Sequence, residues 1–104
     1  IGGWGPGAST LWGRMSPEEQ ERARRAGVVS ECSGILMDIE GRVARSGMED
    51  RVIGVQPGQL KRAHVIAVAP AEGYPEAVLA AVRAGIVDDL VLSAELADRL
   101  ADYD

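Results

Sequence analysis

The spacing of apolar positions changes along the chain, and each change predicts an element. Residues 17–25 are mostly charged, yet they carry full helix signals. Ser16 can cap, Pro17 suits the first helical position, and Glu19 completes a Ser-x-x-Glu capping box. Glu18 and Glu19 favour the amino end of the helix dipole, Arg24 and Arg25 the carboxy end, and Gly27 supplies the stop. Val28 to Ile39 reads as extended chain, interrupted over Ser30–Gly34, with Ile35–Ile39 apolar enough for a buried strand. Glu40-Gly41 predicts a turn, Val43 a return strand or loop, Arg51–Val55 another extended piece, and Pro57–Arg62 one or two helical turns. His64–Ala69 is a continuous, β-branched apolar run, the mark of a central parallel strand. Pro75–Ala84 then shows helical spacing, with Val78, Ala81 and Val82 on the apolar face and Gly85 as the stop. Leu90–Leu92 predicts a short strand, and Ser93 caps a last helix, Ala94–Ala101, with Leu96 and Leu100 inward. The last part is a strand–helix–strand unit, whose crossover is expected to be right-handed. The opening, Ile1-Gly2-Gly3-Trp4-Gly5-Pro6-Gly7, reads as the end of a strand entering a glycine-rich loop, so the chain is expected to be a fragment.

Composition narrows the picture. A chain of 104 residues makes one small domain or part of a larger one. With two Trp, two Tyr and no Phe, the core must rest on Val, Ile, Leu and Ala, which suits packed α/β layers. The net charge is −5, and the densest basic cluster, Arg22, Arg24 and Arg25, shares its segment with Glu18, Glu19 and Glu21. A nucleic-acid-binding module shows a basic patch, so direct DNA contact by this chain is not expected. The one cysteine, Cys32, allows no disulfide within the chain and points to a reducing compartment. No apolar run is long enough for a membrane span, and no signal peptide opens the sequence, so a cytoplasmic protein is expected.

Few residues point to chemistry. Gly2, Gly3, Gly5 and Gly7 follow a strand and can bring backbone N–H groups close to a ligand, or simply form a loop; the spacing fits neither the P-loop nor the dinucleotide fingerprint. Glu31 lies in an apolar segment, where its carboxylate either takes sugar hydroxyls or is bonded to nearby backbone or an Arg. Asp38 reads as turn-forming, Cys32 as a small buried residue. His64 has no companion at metal-ligand spacing, and no metal or cofactor is expected. No nucleophile–base pattern is evident, and no catalytic residue is expected. The segment Pro70–Tyr74 follows the central strand and precedes a helix, the usual ligand position in an open α/β sheet. Glu72 adds negative charge there, and no Lys or Arg lies nearby in sequence.

The ordered set of Trp4–Gly7, Ala26–Glu31, Ile35–Arg42, Asp50–Val55, Val65–Ala69 and Ala77–Val87 resembles the sugar-binding domain of SorC/DeoR-type regulators, over nearly the whole chain. The resemblance implies the carboxy-terminal part (1–104) of an effector-binding domain with a partial Rossmann-like parallel or mixed sheet and flanking helices. It is a fold shared with sugar-phosphate isomerases and deaminases. It implies a sugar, polyol or sugar-phosphate ligand, a homo-oligomer, and DNA contact only through an amino-terminal helix-turn-helix outside this chain. Gly2 and Gly3 resemble the family's strand-end glycines that line the pocket, with Trp4 next in that loop. Glu31 matches its acidic residue, though Ser30 replaces the preceding glycine. Pro70-Ala71 stands where Gly-Gly is common, and Tyr74 where a Lys usually meets phosphate. Tyrosine brings no positive charge, so the departure implies either an unphosphorylated sugar or polyol as effector or a degenerated site. An isomerase- or deaminase-like enzyme fragment with Glu31 as base, and a ligand-free oligomerisation fragment, are the alternatives.

Overall fold

The computed structural model describes residues 1–5, 8–69 and 73–103. Its elements are β1 (Gly2–Gly3), α1 (Pro17–Arg25), β2 (Val28–Cys32), β3 (Ile35–Asp38), α2 (Pro57–Arg62), β4 (Ile66–Val68), α3 (Pro75–Arg83), β5 (Asp89–Val91) and α4 (Ala94–Leu100), with 3-10 turns at Trp12–Arg14 and Met48–Arg51. The fold is α/β, and both strand senses occur. β1, β2 and β3 form an antiparallel sheet in that order, and β4 and β5 pair in parallel. The bond from Ile1 N to Val68 O, 3.1 Å, brings the two sheets side by side.

The predicted capping box at α1 is present. Ser16 Oγ accepts from Glu19 N at 3.2 Å, and Glu19 Oε1 accepts from Ser16 N at 2.8 Å. Glu19 is buried, and Arg51 donates to the same carboxylate oxygen. Arg22 reaches from the next turn of α1 to the carbonyl of Ser46, 2.6 Å away. A largely charged helix is thus fastened to the 3-10 segment by its polar side chains as well as by Ala23, its fully buried apolar residue.

The extended stretch after α1 is a hairpin, and its interruption is shorter than expected. β2 runs straight through Ser30–Cys32, because the loop needs only Ser33 (φ 52°) and Gly34 (φ 85°). Two successive positive φ values make the tight turn that suits strand twist. A bulge between Val28 and Ser30 shifts the register. At the other end of β3, the Asp38 carboxylate accepts from the N–H groups of Glu40 and Arg42, both at 2.9 Å, so it does form the turn. The expected extended piece at Arg51–Val55 is not a strand. Arg51 closes the 3-10 turn, and Val52–Gln56 is irregular. Short apolar runs do not by themselves distinguish strand from coil.

α3 is the hub. Pro75, Ala77, Val78, Ala80 and Ala81 are buried, whereas Val82, placed on the inner face by its spacing, is 44% exposed. Small alanines let the helix lie close on β2 and β3, where Ala80 and Ala81 meet Ile35, Met37 and Ile86. On its other flank Val78 packs with Ala69 and the fully buried Leu96 of α4. Gly41 must be glycine twice over: its φ is 85°, and a Cβ there would stand 2.4 Å from Ala84 N. β4 and β5 start side by side, fixed by His64 Nε2 and Asp89 Oδ2 at 2.6 Å and by Val65 N donating to Asp88 Oδ2 at 2.7 Å. One face of this parallel pair, Ala67 and Ala69, is buried; the other, Ile66, Val68 and Val91, is not.

Candidate functional site

Tyr74 caps α3 in extended backbone just before Pro75, a residue that disfavours helical geometry in its predecessor. Its ring lies over Gly3. A Cβ at Gly3 would stand 2.3 Å from Tyr74 Cδ2 and 2.7 Å from Cε2, so the glycine is needed to admit the ring. Trp4 follows Gly3 and meets Trp12 edge to face, with ring centroids 5.6 Å apart. Trp4, Tyr74, Val28, Val29 and Glu76 line a cavity of about 190 Å³. The Trp4 Nε1 donor is buried and has no acceptor among the described residues.

Three of the five candidate ligand residues thus converge: Gly3, Trp4 and Tyr74. Gly2 neighbours them in β1, and neither glycine lines the cavity itself. Glu31 lies apart. In β1–β2 it pairs with Gly2, while Ser30 pairs with Gly3. Alternation along a strand therefore puts Glu31 on the opposite sheet face from Ser30 and from the Tyr74 ring. Its Oε2 accepts from Gly34 N at 2.9 Å and so fastens the hairpin loop. The structural reading of Glu31, a carboxylate bonded to nearby backbone, is the one the geometry supports. Ser30 is fully buried, and its hydroxyl has no partner among the described residues.

The residues missed by sequence reasoning sit at the start of α3 and the end of α4. Glu76 lines the cavity and accepts a hydrogen bond from the Tyr103 hydroxyl. Arg99 Nη2 donates to Gly73 O at 3.1 Å, so an arginine does stand beside the loop after β4, although none is near in sequence. The Tyr103 hydroxyl lowers the Glu76 carboxyl below its ordinary range, aided by the helix backbone and by Arg99, against the opposing effect of partial burial. The same bond raises the Tyr103 hydroxyl above its ordinary value. Only the two-residue offset of Glu76 from Tyr74 was visible in sequence. Pro70, Ala71 and Glu72, and Pro6 and Gly7 of the glycine-rich loop, fall outside the described residues.

A second concavity of about 300 Å³ lies between the hairpin loop and residues 43–57. Its polar groups serve local structure: the exposed Glu49 accepts at Oε2 from Ser46 N and Gly47 N, each at 3.1 Å, and the buried Ser46 Oγ accepts from Met48 N at 3.2 Å. Among the described residues no group of His, Cys, Asp and Glu is arranged to hold a metal ion, and no helix is long and apolar enough to cross a membrane.

The framework is α/β, with a small aromatic cavity at the mouth of β1 and the start of α3. Residues 1–101 match the family model described as "Putative sugar-binding domain", and the chain belongs to that family. No curated protein matches it. Among solved structures it is similar to a DeoR family transcriptional regulator from Listeria monocytogenes (31% identity, TM-score 0.71, covering 91% of this chain and 38% of that one). It is also similar to the sugar-binding domain of a transcriptional repressor from Vibrio fischeri (28%, TM-score 0.77, 89% and 38%). The full-length sorbitol operon regulator SorC from Klebsiella pneumoniae is a third (25%, TM-score 0.70, 80% and 27%). The chain therefore spans well under half the length of each.

Proposed function

We propose that this chain is part of the effector-sensing domain of a SorC/DeoR-type transcription regulator, and that the effector occupies the cavity of Trp4, Tyr74 and Glu76. The observation that carries the reading is that cavity, in a chain of the sugar-binding family. Aromatic faces pack against the apolar faces of a sugar ring, and a carboxylate accepts from its hydroxyls. At about 190 Å³ the cavity is smaller than the roughly 300–1,000 Å³ usual for ligand sites, so it receives one end of the effector. The remaining wall is supplied by the rest of the sugar-binding domain. Effector binding favours one assembly state, a homo-oligomer in the cytoplasm, and the operator affinity of a separate helix-turn-helix follows that shift. Among the described residues Glu76 is the one carboxylate lining the cavity, and Glu31 is on the other sheet face, which supports a sensor rather than an isomerase.

Affinities for sorbitol, glucose and ribose in Tyr74→Ala and Glu31→Gln variants test the placement. Tyr74→Ala is expected to weaken the sugar that binds by about 10-fold or more, the worth of a buried aromatic contact. Glu31→Gln is expected to leave it within about twofold, because that carboxylate serves the hairpin loop. The reverse pattern would move the site to the other face of the sheet.

A further inference from the structure

The start of α3 is held from a distance. Two residues near the carboxy end of α4 reach back to it: Arg99 to the carbonyl of Gly73, and Tyr103 to the carboxylate of Glu76. Between those anchors stands Tyr74, whose ring rests on Gly3. Glu76 is thus a wall of the cavity that a remote side chain orients, and the Trp4 and Tyr74 rings stand among the other lining residues. A fixed carboxylate acceptor and two aromatic faces form a set that suits vicinal hydroxyls. The same set disfavours an anionic group at this end of the effector, since among the described residues no basic side chain lines the cavity and Glu76 would repel it.

Resting on the sensor reading above, we propose that Glu76 is the specificity-determining residue of the site, selecting an unphosphorylated polyhydroxylated effector through bonds to its hydroxyls, with Tyr103 as its positioning residue. Tyr103 binds one carboxylate oxygen and keeps the group aimed along the cavity, since an ionised carboxylate has acceptor capacity for several partners. Arg99 holds the adjoining backbone, so the first turn of α3 cannot swing away from Gly3. The ligand preference of the pocket is therefore set in part by a helix that does not line it.

The test is isothermal titration of the whole polypeptide with sorbitol and with sorbitol 6-phosphate, in wild type, Glu76→Gln and Tyr103→Phe. A merely structural role would lower both affinities together, so the ratio between the two ligands is the decisive readout. Wild type is expected to prefer sorbitol. Glu76→Gln should weaken sorbitol about 10- to 100-fold, the worth of a charge-assisted hydrogen bond, and should bring the ratio towards unity. Tyr103→Phe should move the ratio the same way, with sorbitol weakened about fivefold. An unchanged ratio in Glu76→Gln overturns the assignment and leaves the sensor reading standing. Binding of the phosphate alone by wild type overturns the selectivity and also keeps the sensor reading. If neither compound binds, nor any neutral sugar or sugar phosphate, both fall together. Thermal melts of the variants show whether they remain folded, and the conservative Glu76→Asp, which keeps the charge, should retain the preference for sorbitol.

Discussion

Gly3 carries no side chain because Tyr74 stands where one would be. The atoms a Cβ would strike include the ring carbons nearest the Tyr74 backbone, so the ring cannot be moved aside by a small rotation. Gly3→Ala is expected to destabilise the fold by about 1–3 kcal/mol, in the range of overpacking, and to open the cavity. Adding Tyr74→Ala should recover most of that loss, and urea melts of the double-mutant cycle would show the coupling. Ser30, its neighbour across the sheet, makes the opposite case. Its hydroxyl is buried without a partner among the described residues, and an unsatisfied buried group costs stability. Ser30→Ala should therefore stabilise by about 1 kcal/mol, and a lowered melting midpoint would contradict this. The place of Tyr74 between a parallel strand and a helix was visible in the chain. The sheet face that Glu31 occupies was not, since one bulge at Val28–Ser30 and a two-residue turn decide it, and neither leaves a periodic signal. Glu76 was within reach of sequence reasoning; Arg99 and Tyr103 were not, because tertiary packing of α4 on α3 alone brings them there.

Among the elements, α1, α3 and α4 were readable from caps and stops, whose chemistry is local, and α2 from Pro57 at its first turn. The piece at Arg51–Val55 was misread because its apolar residues serve no ladder. Val52 packs instead against the cluster of Met15, Leu36 and Met48. The α1 amino terminus gives the clearest test. The bond from the Ser16 backbone to the Glu19 carboxylate is the main cause lowering that carboxyl, opposed by burial and aided by Arg51. A carboxyl lowered in the folded state contributes stability above its ordinary value of 4.5 and loses it as the pH falls through the folded value. The melting temperature should therefore hold above that value and drop in acid. Ser16→Ala should cost about 1 kcal/mol at neutral pH and should flatten the acid limb, since it removes the side-chain half of the box. An acid limb identical to wild type would show that the Ser16 hydroxyl adds nothing, Glu19 being held by Arg51 and by the backbone N–H that the substitution keeps.

At the scale of the molecule, the parallel pair β4–β5 is half covered. Ile66 is 63%, Val68 60% and Val91 53% exposed on one face, while parallel sheets are ordinarily covered on both. The chain covers only 38% of related chains, and in the reading proposed above the bare face packs against the rest of the domain. The chain taken alone is expected to bind a hydrophobic dye at that face, and Ile66→Lys with Val68→Lys to reduce the signal without lowering its melting point by more than a few degrees. A steep loss of stability would mean that the strand depends on these side chains within the chain itself. In the whole polypeptide the same pair of substitutions should be severely destabilising, because it would bury two charges.

The central claim is that a neutral sugar or polyol is bound here. It is tested most directly by thermal shift of the whole polypeptide with unphosphorylated sugars and polyols, each beside its phosphate. A ligand that binds only the folded state, at about 100 times its Kd, stabilises by about 2.7 kcal/mol and must raise the melting temperature by several degrees. The expected result is such a rise with at least one neutral compound, smaller or absent with its phosphate, and cut to about half or less in Tyr74→Ala. A rise with phosphates alone, or none with any of them, would contradict it.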